Sequence, residues 1–188
     1  VSLVFEDFKD SINKNIPEEV KLADVRLNSK TKESIKASVD KFMDSPKEAR
    51  KGFILTGPPG TGKTMIVKAL ANEEKCYFMA PTLGDLKGEY VGQSSGKIKR
   101  IFAEARANQP TILFIDEADT VFPSRNMGSQ GDSFGLDMVN QFLQEIDGAT
   151  TGEQKIFTIA ATNRVDVVDS AIRSRLSEVI TIGLPDKE

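Results

Sequence analysis

The apolar positions of this chain fall into two alternating rhythms. From Ser29 to Met43, Ile35, Val39, Phe42 and Met43 recur at helical spacing among charged residues, which predicts an amphipathic helix with one face on a core. Pro46 ends it. Short apolar runs follow: Phe53-Ile54-Leu55, Cys76 to Ala80, Thr111 to Ile115, Ile156 to Ala161 and Val179 to Ile182. Runs of this length read as buried strands. Between them the helical period returns over Thr64 to Asn72 and over Gly96 to Asn108, where Ile98, Ile101, Phe102 and Ala105 share a face. It returns again from Leu136 to Gly148, with Leu136, Val139, Phe142, Leu143 and Ile146 predicted to face inward. Strands alternating with helices predict an α/β fold, a parallel sheet covered on both faces. Residues Val1 to Leu27 form an acidic, mixed lead-in, and Gly128 to Gly135 a loop poor in core formers.

Composition narrows the chemistry more than the fold. The length of 188 residues suits one domain, and 39% hydrophobic against 28% charged residues supplies a core without predicting disorder. A net charge of -3 gives no basic field for nucleic acid. Histidine is absent, which removes imidazole acid–base chemistry and His metal sites. Carboxylates, Lys, Arg, hydroxyls, backbone amides and borrowed metal ions remain. Cys76 is the sole cysteine, so no internal disulfide forms and a reducing, cytoplasmic setting is expected. No apolar run approaches the ~20 residues of a membrane span, and Val1 to Asp10 lacks the basic-then-apolar layout of a signal peptide.

Candidate chemistry begins directly after Phe53-Ile54-Leu55. There Gly57-Pro58-Pro59-Gly60-Thr61-Gly62-Lys63-Thr64 matches the phosphate-binding pattern G-x-x-x-x-G-K-[ST]. Polyphosphate concentrates negative charge, and backbone N–H groups at a helix N-terminus answer it. Gly57, Gly60 and Gly62 allow close approach, Lys63 suits the β and γ phosphates, and the Thr64 hydroxyl suits Mg²⁺. The loop follows a strand and opens a helix, as that mechanism requires, and predicts binding of ATP or GTP. The third strand ends on Asp116-Glu117. Asp116 suits Mg²⁺ held through its water shell, and Glu117 suits a general base polarising an attacking water. Asp119 reads equally as a structural, capping or catalytic residue.

Taken in order, these motifs resemble the AAA family of ATPases, within the wider AAA+ group, over about Leu22 to Glu188. The resemblance implies a P-loop three-layer sandwich with a central five-stranded parallel sheet in the order 5-1-4-3-2. Residues 1–21 would be a lead-in and 22–188 the large ATPase subdomain, with the family's small helical lid outside the chain. ATP and Mg²⁺ are the implied cofactors. Pro58, Pro59, Thr61 and Met65 would join the loop glycines, Lys63, Thr64 and Asp116 around the nucleotide, and Asp24 and Val25 would border adenine. The glycine pair usual after them is replaced by Arg26-Leu27.

Ala160-Ala161-Thr162-Asn163-Arg164 looks like the family's sensor-1 segment, with Asn163 positioning the water. By resemblance, Arg175, with Arg173 beside it, is the finger that contacts ATP in a neighbouring subunit. The chain has Glu178 where many relatives carry a second arginine, and it lacks the glycine often found before the finger. Lys87 to Ser94 resembles the first pore loop, in which Tyr90, with Val91, would grip an extended polypeptide.

The function so implied is an ATP-hydrolysing motor that remodels, unfolds or threads protein as a homo-oligomeric, hexameric ring. A nucleic-acid remodeller and a nucleotide-gated scaffold with weak turnover are the alternatives. The acidic balance and Tyr90 oppose the first; the intact Asp116-Glu117 pair opposes the second. Neither nucleic acid nor a membrane is an expected partner.

Overall fold

In a computed structural model the chain is described over residues 27–45, 51–58, 62–87, 93–124, 133–148, 154–176 and 178–183. Five strands, β1 (Gly52–Thr56), β2 (Tyr77–Met79), β3 (Thr111–Ile115), β4 (Ile156–Thr162) and β5 (Glu178–Thr181), pair in parallel in the order β2-β3-β4-β1-β5. From the other edge this is the 5-1-4-3-2 order implied by the resemblance. The helices are α1 (Ser29–Asp44), α2 (Lys63–Glu73), α3 (Leu83–Leu86), α4 (Gln93–Ala107), α5 (Ala118–Val121), α6 (Ser133–Gly148) and α7 (Ser170–Arg175).

Alternation along the strands decides which core each side chain joins. Phe53 and Leu55 of β1, Ile112 and Phe114 of β3, and Phe157, Ile159 and Ala161 of β4 all enter one cluster with Ile35, Val39 and Phe42 of α1 and Ile66, Val67 and Leu70 of α2. Ile54, Leu113, Ile115 and Ala160 enter the other, with α4, α6 and α7. Aromatic contacts hold both layers: Phe42 meets Phe157 at 5.2 Å, and Phe142 sits 5.2 Å from Phe102 and 4.7 Å from Phe122. Three layers follow, and every strand of the sheet points its C-terminal end to the same side.

The predicted elements appear with ends moved by a few residues, and two expectations on α6 are corrected. The helix starts at Ser133, so it takes Ser133 to Gly135 from the predicted loop. Leu136 was expected inside and is 44% exposed, while Met138 is buried. The buried stripe runs through Met138, Val139, Phe142 and Ile146; Leu136 lies off its centre by about 100°, one residue's rotation.

Where α1 crosses the end of α2, Glu74 faces Asp40. Burial first, then the hydrogen bond and charge of Asp40, push the Glu74 carboxyl up to about 7, with Lys36 opposing and Glu73 adding to the rise. The folded carboxyl thus holds its proton to higher pH than the unfolded chain does. Stability from this group is full below the ordinary carboxylate range and is lost as pH rises towards 7. Glu74→Gln is therefore expected to raise the melting temperature at about pH 8 and to flatten its fall from about pH 5. Thermal melts across that range check this, and a wild-type slope in the variant contradicts it.

Candidate active site

Parallel pairing places three loops side by side. Ile54 of β1 is level with Ala160 of β4, and Ala160 is level with Ile115 of β3. Two residues beyond these positions, Thr56 is level with Thr162, and Glu117 follows Ile115 by the same count. The phosphate-loop start at Gly57, Asn163 after β4 and Asp116-Glu117 after β3 therefore leave the same edge of the sheet. Neighbouring strands are about 4.8 Å apart, and the C-terminal edge is where open α/β sheets bind ligands.

Gly57 is fixed from behind. Ile182 N–H donates to the Thr56 carbonyl at 2.7 Å, and a Cβ on Gly57 would stand 2.6 Å from the Ile182 carbonyl oxygen. Across the loop, Gly62 is the N-cap of α2 at φ 75° and ψ 31°, a left-handed conformation that glycine adopts without strain. Helices α1, α3 and α7 are capped by the side chains of Asn28, Thr82 and Asp169. Helix α2 has no side-chain cap and no acidic residue in its first turn. Among the described residues its first-turn N–H groups thus have no capping side chain and no acid of their own helix beside them, which fits a polyanion. Lys63 reinforces the fit: its Nζ donates to the Gly57 carbonyl at 2.8 Å, bringing the cation across the loop. Thr64 is half-buried, and Pro58 and Met65 are exposed at the rim. Pro59, Gly60 and Thr61 lie outside the described residues.

The acidic turn has its own geometry. Glu117 adopts φ 52° and ψ 47°, left-handed for a non-glycine residue, at a cost of about 1–2 kcal/mol. Its N–H donates to Asp116 Oδ1 at 2.8 Å, and its carbonyl accepts from Thr120 and Val121 to start α5. Asp116, Glu117 and Asn163 are all exposed to solvent. Asp119, left open by the sequence, accepts a hydrogen bond from Thr162. Among the described residues no group of three or more His, Cys, Asp or Glu is placed to hold a metal by itself. Thr64 and Asp116 carry oxygen donors of the kind Mg²⁺ takes together with phosphate oxygens and water.

The arginines lie elsewhere. Arg175 precedes β5, and the parallel sheet puts it at the N-terminal edge. Phe53 pairs with Glu178, and a Cβ on Gly52 would touch Leu176. Gly52 and Gly57 are separated by a strand length, roughly 16 Å. Arg175 grips Asp147 at the end of α6 with both arms, Nε to Oδ1 at 3.2 Å and Nη2 to Oδ2 at 2.9 Å. That fork holds the Asp147 carboxyl below the usual carboxylate range. Arg173 is half-buried, with a buried Nε lacking a partner among the described residues. Glu178 accepts from Ser38 Oγ of α1 at 2.8 Å, so the carboxylate standing in the arginine's place is tied to its own chain.

Asp24, Val25, Tyr90 and Val91 lie outside the described residues. Among the described residues, no helix is long and apolar enough to cross a membrane.

A model of the ATPase family associated with various cellular activities (AAA) matches residues 53–184. Protein mac-1 of Caenorhabditis elegans is 42% identical over 139 residues, 73% of this chain and 17% of that protein. The peroxisomal ATPase PEX6 of Saccharomyces cerevisiae is 39% identical over 143 residues, covering 74% of this chain and 14% of its own length. The ATP-dependent zinc metalloprotease FtsH of Pelodictyon phaeoclathratiforme is 43% identical over 150 residues, 78% of this chain and 22% of that protein. The chain thus spans 22% or less of each of these three relatives.

Proposed function

The chain belongs to the family of ATPases associated with various cellular activities, and from that membership we propose that it is the ATP-binding and ATP-hydrolysing module of a ring that remodels, unfolds or threads protein. The observation that carries the reading is the common edge that Gly57, Asn163 and Glu117 leave, with Lys63 bonded back to the Gly57 carbonyl. In this reading the N–H groups of α2 and the Lys63 ammonium bind the phosphates, and Thr64 and Asp116 would hold Mg²⁺. The metal, when bound, neutralises phosphate charge. Asn163 orients the attacking water, and a Glu117 carboxylate oxygen takes its proton.

Arg175 belongs to a different site. Its place at the opposite edge of the sheet supports action on the nucleotide of a neighbouring subunit, as in a hexameric ring. Arg173 beside it is the second candidate. Tyr90 and Val91 are proposed to contact the protein substrate, and Asp24 and Val25 the adenine.

Lys63→Ala tests the phosphate loop. A hydrogen bond to a charged partner contributes about 1.5–3 kcal/mol, so ATP affinity is expected to drop by tens to about a hundredfold. Titration with a fluorescent ATP analogue measures it, and wild-type affinity in the variant would remove Lys63 from the site.

A further inference from the structure

Two turns of the proposed site are joined by a hydrogen bond between Thr162, just before Asn163, and Asp119, two residues after Glu117. Thr162 is 2% exposed at the last position of β4. Its Oγ1 donates to Asp119 Oδ1 at 2.8 Å, and the same oxygen accepts the Arg164 N–H at 3.0 Å. The hydroxyl has one proton; the Asp119 carboxylate, which accepts only, fixes where it points and leaves a lone pair aimed at Arg164. Asn163 is the residue closed inside that Thr162–Arg164 turn. On the other side, Asp119 lies two residues beyond Glu117, whose left-handed backbone persists only when its surroundings hold it.

We propose that Asp119 is a positioning residue which, through Thr162, locks the Glu117 turn and the Asn163 turn into one register. The inference rests on the reading of Glu117 as base and Asn163 as water-orienting group. In this reading Asp119 and the buried Thr162 hydroxyl are engaged with each other and not with the phosphates. Their loss changes how accurately the water is held, not how tightly the phosphates are bound. Misplacing a reacting group by about 1 Å can cost up to about a hundredfold in rate.

The test compares Thr162→Val, Thr162→Ser, Asp119→Ala, Asp119→Asn and the double Asp119→Ala/Thr162→Val in the full-length protein. Turnover, ATP-analogue affinity and melting temperature are read for each. Thr162→Val and Asp119→Ala are each expected to lower kcat about tenfold or more, with affinity within about twofold. The double variant is expected to be no slower than the worse single, because both remove one contact. Thr162→Ser keeps the hydroxyl and Asp119→Asn keeps an acceptor oxygen, so both should recover most of the rate. If Thr162→Val fails to fold, the half-buried Asp119 pair, Ala against Asn, decides the matter alone.

Turnover of Thr162→Val or Asp119→Ala within about twofold of wild type, or losses that multiply in the double variant, overturns the proposal. Glu117→Gln measured alongside separates the two levels. An inactive Glu117→Gln beside a normal Thr162→Val overturns the positioning role alone. A fully active Glu117→Gln overturns the assignment beneath it as well.

Discussion

Glu117→Gln is expected to lower ATP turnover about a thousandfold while leaving ATP affinity close to wild type. The amide has the size of the carboxylate and preserves the left-handed turn, since the turn is held by the Glu117 backbone and not by its side chain. What it loses is the ability to accept the water's proton. General-base catalysis contributes about a hundred- to ten-thousandfold, and in the proposed function binding rests on groups that follow a different strand, β1: Lys63 and the N-terminus of α2. Single-turnover hydrolysis with a separate binding titration distinguishes the two effects. A variant that hydrolyses normally, or one that loses binding and rate together, removes Glu117 from the role of base.

Arg175→Ala carries the second large effect, a fall in turnover of about a thousandfold in the assembled protein. A guanidinium brought to the phosphates from a neighbour stabilises charge that develops only in the transition state, so ATP affinity should change far less than rate. The Asp147 fork gives this prediction a structural control. Arg175 is held to Asp147 by two hydrogen bonds, so the substitution also tests the junction of α6 and α7. Exposed ion pairs contribute roughly 0–1 kcal/mol, so the melting temperature should move little. Loss of rate with an unchanged melt and intact assembly is the expected combination. Turnover unchanged by the substitution contradicts it.

Much of this fold is readable from the chain because its central strands, β1, β3 and β4, are buried on both sides. A strand such as Thr111 to Ile115 has no polar face to obscure it, and all five of its residues are buried. The phosphate loop is legible for a different reason: only a few residue types permit that backbone and that charge. Contacts between distant positions are not legible in the same way. Nothing in spacing joins Arg175 to Asp147, 28 residues earlier, or Ser38 to Glu178 across 140 residues. These pairs exist because the fold packs α1 against β5 and sets the end of α6 beside α7. Glu178 illustrates the consequence, since a carboxylate that looks out of place beside the proposed finger, Arg175, has a hydroxyl partner on α1. Leu136 shows the limit of periodicity: two leucines, Leu136 and Leu143, lie on the flank of the stripe, and only the packing tells which is covered. Asp119 looked interchangeable with a capping residue until its partner Thr162 was in view.

Mixing two inactive variants tests the shared site most directly. Glu117→Gln subunits keep Arg175, and Arg175→Ala subunits keep Glu117. Wherever the two meet in the right order, one interface holds a complete set of residues. Turnover measured as the two are co-assembled in varying ratio should rise well above either parent and peak at intermediate ratios. Mixtures that stay as inactive as their parents at every ratio, in rings shown to contain both variants, would contradict a site built from Glu117 of one subunit and Arg175 of the next.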